Sequence, residues 1–166
     1  MKALNLIIAL LLCTQAYGQD FDLKDLLAIN SEETFKRFTF EKGFVFEESI
    51  KENLLNEEQY TLKYKYERRN YSNQTNEKIA EATYLNYEEK YWIIGLSDDK
   101  WESSNRTFEK VIQQAKSNCE FKGFRFSGLE EYACYKCPNS KFKGELGFSR
   151  SSSDKYKYYI KLVTPY

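Results

Sequence analysis

The chain contains no histidine. Imidazole is the side chain most used for proton transfer near neutral pH and the commonest metal ligand. Its absence excludes Ser-His-Asp and Cys-His nucleophile schemes and histidine-based zinc sites, and no cofactor is expected. An excess of one charge is missing as well. The 25 basic side chains match the 25 acidic ones, whereas phosphate backbones are held by a basic surplus, so no nucleic-acid partner is expected. Long apolar runs are also absent: the stretch Leu4 to Leu12, interrupted at Asn5, falls well short of the ~20 residues that span a bilayer, so no membrane span is expected.

That short stretch has another reading. Lys2 before it and Ala16-Tyr17-Gly18 after it complete the charged, apolar and small-x-small regions of a secretory signal. Residues 1–18 are therefore read as a signal peptide cleaved near Gly18, and the protein as secreted or periplasmic. Removing 18 of 166 residues leaves 148, enough for one domain with a real core.

Cys119, Cys134 and Cys137 lie beyond the signal, and an exported chain defaults to a disulfide. If residues 119–126 and 131–137 form a hairpin about Gly128, residues whose numbers add to 256 or 257 face each other, which sets Cys119 opposite Cys137. Opposed residues lie within disulfide reach, so the expected bond is Cys119 to Cys137, with Cys134 free on the other face. A redox motif belongs where a strand opens into a helix, but here Cys137 runs into Pro138.

The sequence also reads as saying one thing twice. A helix-like segment, 31–42, precedes strand-like segments 43–48, 59–67, 79–87 and 91–97. A second helix-like segment, 104–116, precedes 119–126, 131–137, 143–150 and 157–163. Phe35 to Phe108 and Phe38 to Val111 are 73 positions apart, and Tyr60 to Tyr132 is 72; such periods are the mark of internal repeats. Ser31 can cap the first helix, and Gly43 can end it in the left-handed conformation. In the second, Phe108, Val111, Ile112 and Ala115 form one stripe, with Ser104 or Asn105 as the expected cap. Tyr60, Leu62, Tyr64 and Tyr66 alternate with Thr61, Lys63, Lys65 and Glu67, the pattern of a sheet packed on one side and wet on the other. Residues 70–78 read as a polar loop.

The expected fold is α+β: tandem α-β-β-β-β units, 19–97 and 98–166, forming one antiparallel sheet of about eight strands with helices on one face. Two separate domains joined near 97–104 are the competing layout. In layout alone the arrangement resembles the tandem-repeat secreted β-lactamase inhibitor proteins, and each unit resembles the small helix-helix-sheet lipoproteins of outer-membrane assembly.

Aromatic residues make up 17% of the chain, more than a core of this size needs on its wet side. Most of Tyr60, Tyr64, Tyr66, Tyr158 and the phenylalanines are assigned to the core, because they share the apolar face. The expected binding residues are Trp101, Tyr159, Tyr87 and Tyr91, with Tyr132 or Tyr135 beside them, because exposed Tyr and Trp anchor protein interfaces and stack on sugars. The resulting expectation is a non-enzymatic binding module that meets an unknown protein, or an envelope glycan, through one sheet face. The rival is a small hydrolase using a carboxylate pair such as Glu130-Glu131, although such enzymes need carboxyl groups facing each other across a cleft.

Overall fold

The computed structural model describes residues 20–54, 57–70, 72–86, 90–96, 103–127, 130–138, 140–151 and 158–163. The expected signal segment and the 97/98 unit boundary lie outside them. Two helices, α1 (Leu23–Leu27) and α2 (Glu32–Glu41), lead into β1 (Val45–Leu54), β2 (Glu57–Asn70), β3 (Thr75–Asn86) and β4 (Lys90–Leu96). Helix α3 (Ser103–Asn118) then leads into β5 (Glu120–Ser127), β6 (Glu130–Lys136), β7 (Glu145–Arg150) and β8 (Tyr158–Val163).

Local chemistry sets the helix ends. Asp22 and Ser31 each accept a hydrogen bond from the backbone amide three residues on, Asp25 and Thr34, whose side chains reach back to the cap. Gly43, at φ 76°, turns the chain out of α2. Helix α3 begins a residue earlier than its expected caps, so Ser104 and Asn105 lie inside its first turn.

All eight strands form one antiparallel sheet in the order β1-β2-β3-β4-β8-β7-β6-β5. Each half is a meander, and the halves join where β4 pairs with β8 from Tyr91↔Val163 to Leu96↔Tyr158. This single sheet rules out the two-domain layout. Tyr64, Ala82, Ile94, Ile160 and Phe148 stand in one row across five strands, and their side chains therefore share a face. Phe35 of α2 packs edge-on against Tyr64 at 5.7 Å, and Phe108 of α3 against Phe148 at 6.0 Å, so both helices cover that same face. Trp92 stacks on Tyr84 in the middle of the core and meets Phe142 edge-on. The Tyr60 hydroxyl donates to the Glu32 carboxylate, tying β2 to α2, and this bond together with partial burial pushes the phenol above its ordinary pKa.

The element order α-β-β-β-β occurs twice, but the fixed spacing does not run through it. Phe35 and Phe108 are both buried under their helices. Tyr60 stands on the helix side, while Tyr132, next to helix-side Ala133, stands on the other. The expected loop at 70–78 is instead a hairpin tip: β2 and β3 stay paired out to Asn70↔Thr75, and Gln74 takes φ 58°. Asn73 accepts from the backbone and hydroxyl of Thr75 there, at 3.1 and 2.7 Å, so the Asx-turn chemistry of this polar stretch closes a long ladder.

The β5–β6 register agrees with the expected hairpin. Partners add to 257 from Ser127↔Glu130 to Gly123↔Cys134, then to 256 at Phe121↔Tyr135 and Glu120↔Lys136 after a bulge at Lys122. Cys119 and Cys137 sit at disulfide distance, with sulfurs 2.01 Å apart, and Cys134 is free and buried.

Two stability predictions follow from this packing. Replacing both Cys119 and Cys137 by Ser is expected to lower unfolding free energy by roughly 3 kcal/mol, read from urea unfolding with each slope fitted separately, since the freed denatured chain is less compact. Gly147 lies under the Tyr132 side chain, and a Cβ there would meet it at 3.1 Å. Gly147→Ala is therefore expected to destabilise by ~1 to 3 kcal/mol, and Tyr132→Ala in the same background to recover part of that loss.

Candidate functional site

The open face of the sheet, opposite the helices, is where a binding surface was expected. Of the four candidate residues, Trp101 and Tyr87 lie outside the described residues. Tyr91 lies in β4, paired with Val163, and Tyr159 falls on the open face of adjoining β8 by register. Tyr159 stands opposite Gly95 on one side and Ser149 on the other, and is half-buried. Tyr132 and Tyr135 are both buried, at 6% and 7% exposure, which corrects their assignment to a wet surface. Tyr132 lies over Gly147, while Tyr135 turns to the helix side, against Phe148 and Phe121.

On β1 to β3 the open face is instead a lattice of opposite charges. Lys63 pairs with Glu48 at 2.7 Å, Lys65 with Glu67 at 2.7 Å, and Lys78 with Glu47 and Glu81 at 2.5 and 2.8 Å. Even Lys161 is buried, its ammonium 5.9 Å from the Tyr132 ring centre. Cys134 shares this face with Lys161, and burial pushes its thiol upward, reinforced by the nearby Glu145 carboxylate.

The exposed apolar surface lies toward both edges of the sheet: Val45 and Phe46 on β1 are 61% and 53% exposed, and a strip of three aromatics lies on β5. Phe121, Phe124 and Phe126 on edge strand β5 are 48%, 65% and 75% exposed. All three stand on the helix side, because the bulge at Lys122 brings Phe121 into phase with the other two. Phe121 and Phe124 touch, with ring centres 5.4 Å apart. Helix α3 lies over β8 rather than over this edge, and between helix and edge runs a hollow of about 490 Å³. Phe108 and Ile112 of α3 wall it, Phe124, Ala133 and Phe148 form its apolar side, and Glu130, Glu131 and Arg150 rim it.

These phenylalanines were assigned to the core, and that assignment is corrected here. Alternation of apolar and polar residues identifies a strand's buried side but not whether a helix lies over it. The signal available in the sequence was the spacing Phe121-x-x-Phe124-x-Phe126 around Gly123, which implies a bulge.

The rim is committed to structural bonds. Glu130 accepts from the hydroxyls of Ser149, at 3.3 Å, and Ser151. Arg150 pairs with Glu109 and lies 5.5 Å over the Phe108 ring. Glu130 and Glu131 are successive strand residues and point to opposite faces, so they do not oppose each other across a cleft as glycoside hydrolysis requires. A second hollow, about 510 Å³, lies between α1, the end of α3 and residues 138–141; within it Gln114 accepts from the Leu23 amide at 2.8 Å, closing α1 onto α3. Among the described residues no three His, Cys, Asp or Glu side chains cluster as a metal ion would need, and no helix is long and apolar enough to cross a membrane.

No family model, no curated protein and no solved structure matches this chain.

The buried thiol gives a direct check on the packing of β6 and β7. Iodoacetamide at pH 8 is expected to modify Cys134 far more slowly in the native protein than in urea, because only the thiolate reacts. Equal rates would mean that the strands do not enclose it.

Proposed function

We propose that the protein is an exported, non-enzymatic binding module that takes a protein partner at the helix-side edge of its sheet. One observation carries this reading: three exposed phenylalanines on one face of edge strand β5, beside a hollow walled by Phe108 and Ile112. Exposed side chains of ~150 to 250 Å² each at these exposures present roughly 400 Å² of apolar surface, the size at which patches on monomers have a function. The open face, by contrast, would have to give up its ion pairs to bind. Phenyl rings without a polar atom favour a protein over a sugar, whose hydroxyls need hydrogen-bond partners.

The disulfide-distance pair supports an oxidising compartment and hence export. A tandem origin for the two halves is part of the same proposal. It is supported by the repeated element order and by a bulge in the first strand of each half, at Glu47 and Lys122, 75 residues apart.

The test is capture of envelope proteins on the immobilised, disulfide-intact protein. Phe124→Asp and Phe126→Asp are expected to weaken the retained binding by about ten-fold or more each, the effect of losing at least ~1.4 kcal/mol, while Tyr159→Ala leaves it intact. The reverse pattern would return the site to the open face.

A further inference from the structure

We propose that the protein seated on this edge is a second copy of the same chain, β5 pairing with β5 across a two-fold axis to make a sixteen-stranded sheet. The inference rests on the reading above, and specifies its partner.

The two edges of the sheet differ in how they are protected. Natural edge strands are kept from pairing by bulges and charged residues. Beyond its bulge, β1 runs regularly from Glu48 to Leu54 and carries Glu48, Lys51 and Glu52. The corresponding run of β5, Gly123 to Ser127, carries Arg125 alone. That guanidinium is held on its own chain by both oxygens of Glu145, at 3.0 Å each. Exposed phenylalanines fill the helix side of the run, so β5 is the edge left without a charged guard.

A two-fold axis normal to the sheet runs β5 antiparallel to its copy and keeps both sets of helices on one side. Residues of like facing must then meet, which limits the registers. With Arg125 on the axis, Phe124 faces Phe126 twice, and Gly123 faces Ser127. Shifting the axis to Phe124 sets Phe126 against the bulge at Lys122, and shifting it to Phe126 sets Phe124 beyond the end of β5. Only the central register forms two aromatic cross-strand pairs, the kind that stabilises sheets. Like charges meet at Arg125, but each arrives already neutralised by Glu145. Phe124 and Phe126 of two copies present roughly 560 Å², more than half of the ~1,000 Å² that a specific interface needs, and the strand backbones and the aliphatic stem of Arg125 add to it.

Sedimentation of the purified, disulfide-intact protein is expected to show a concentration-dependent dimer. Phe126→Asp should raise its dissociation constant about ten-fold or more, and Phe40→Asp, on the outer face of α2 at 83% exposure, should leave it unchanged. Arg125→Cys should give a covalent dimer on mild oxidation, because residue 125 faces itself at Cβ separations a disulfide spans; Ser127→Cys should not. A protein that stays monomeric at its highest soluble concentration overturns the proposal. So does a dimer that survives Phe126→Asp and is not trapped through Arg125→Cys. If the protein is monomeric and envelope capture still depends on Phe126, the edge binds a different protein and the broader reading stands; if neither depends on Phe126, both fall.

Discussion

Six residue pairs at the centre of the sheet, where β4 lies against β8, determine the rest of the molecule. Trp92 faces Leu162 and Ile94 faces Ile160, and all four side chains are at most 2% exposed. Burying side chains of this size contributes ~1.5 to 3 kcal/mol each. Neither half can bury them alone, because a four-stranded meander ends at that strand and units of roughly 70 residues hold thin cores. The seam also decides what remains uncovered. With the fourth strands at the centre, the first strands, β1 and β5, become the edges.

Helix placement follows from the same geometry. The deepest aromatic layer, Tyr84, Trp92 and Phe142, lies beside the seam, and α3 contacts β4 and β8 there. A helix is ~10 Å wide and adjacent strands are ~4.8 Å apart, so each helix covers about two strands. The three helices among the described residues, one of them a short turn at Leu23–Leu27, cannot shield eight strands. The shortfall falls at the periphery, and the two peripheries resolve it differently. On the β1 side Phe46 leans onto Tyr64, and Glu47 and Glu48 tie into the ion lattice through Lys78 and Lys63. On the β5 side Phe121 leans onto Tyr135 in the same way, and Phe124 and Phe126 are the barer rings, at 65% and 75% exposure against 53% for Phe46.

The parts legible in the sequence were those governed by neighbours in sequence. The cap at Ser31, the stripe from Phe108 to Ala115 and the alternation from Tyr60 to Glu67 depend on local backbone geometry, and the hairpin arithmetic that set Cys119 opposite Cys137 depends on one turn. What stayed hidden depended on strand order. Phe124 and Ile160 both alternate with basic residues, yet one is 65% exposed and the other 0%, because β5 lies at the edge and β8 at the seam. Tyr132 and Tyr159 read alike as wet tyrosines. Tyr132 is buried because it lies over Gly147 in the adjoining strand, and that close approach is possible only where no Cβ intervenes. A glycine's effect on the neighbouring strand cannot be read before the strands are paired.

The bulge at Lys122 shows how closely stability and the exposed surface are joined. Side chains alternate along a regular strand, so Phe121 and Phe124, three positions apart, would lie on opposite faces without an extra residue. The insertion at Lys122 is followed by Gly123 at φ 101°, a conformation that other residues adopt only under strain. Space is not what selects glycine here, since a Cβ would meet nothing within 4 Å. The same insertion moves the partner sum from 257 to 256, which sets Cys119 against Cys137; without it Cys119 would face Pro138. One backbone irregularity thus aligns the sulfurs that clamp the base of β5 and gathers the three rings into one strip. A strand held in this way would lose little conformational freedom if another chain added to it, the preorganisation that the proposed binding through a small aromatic surface requires.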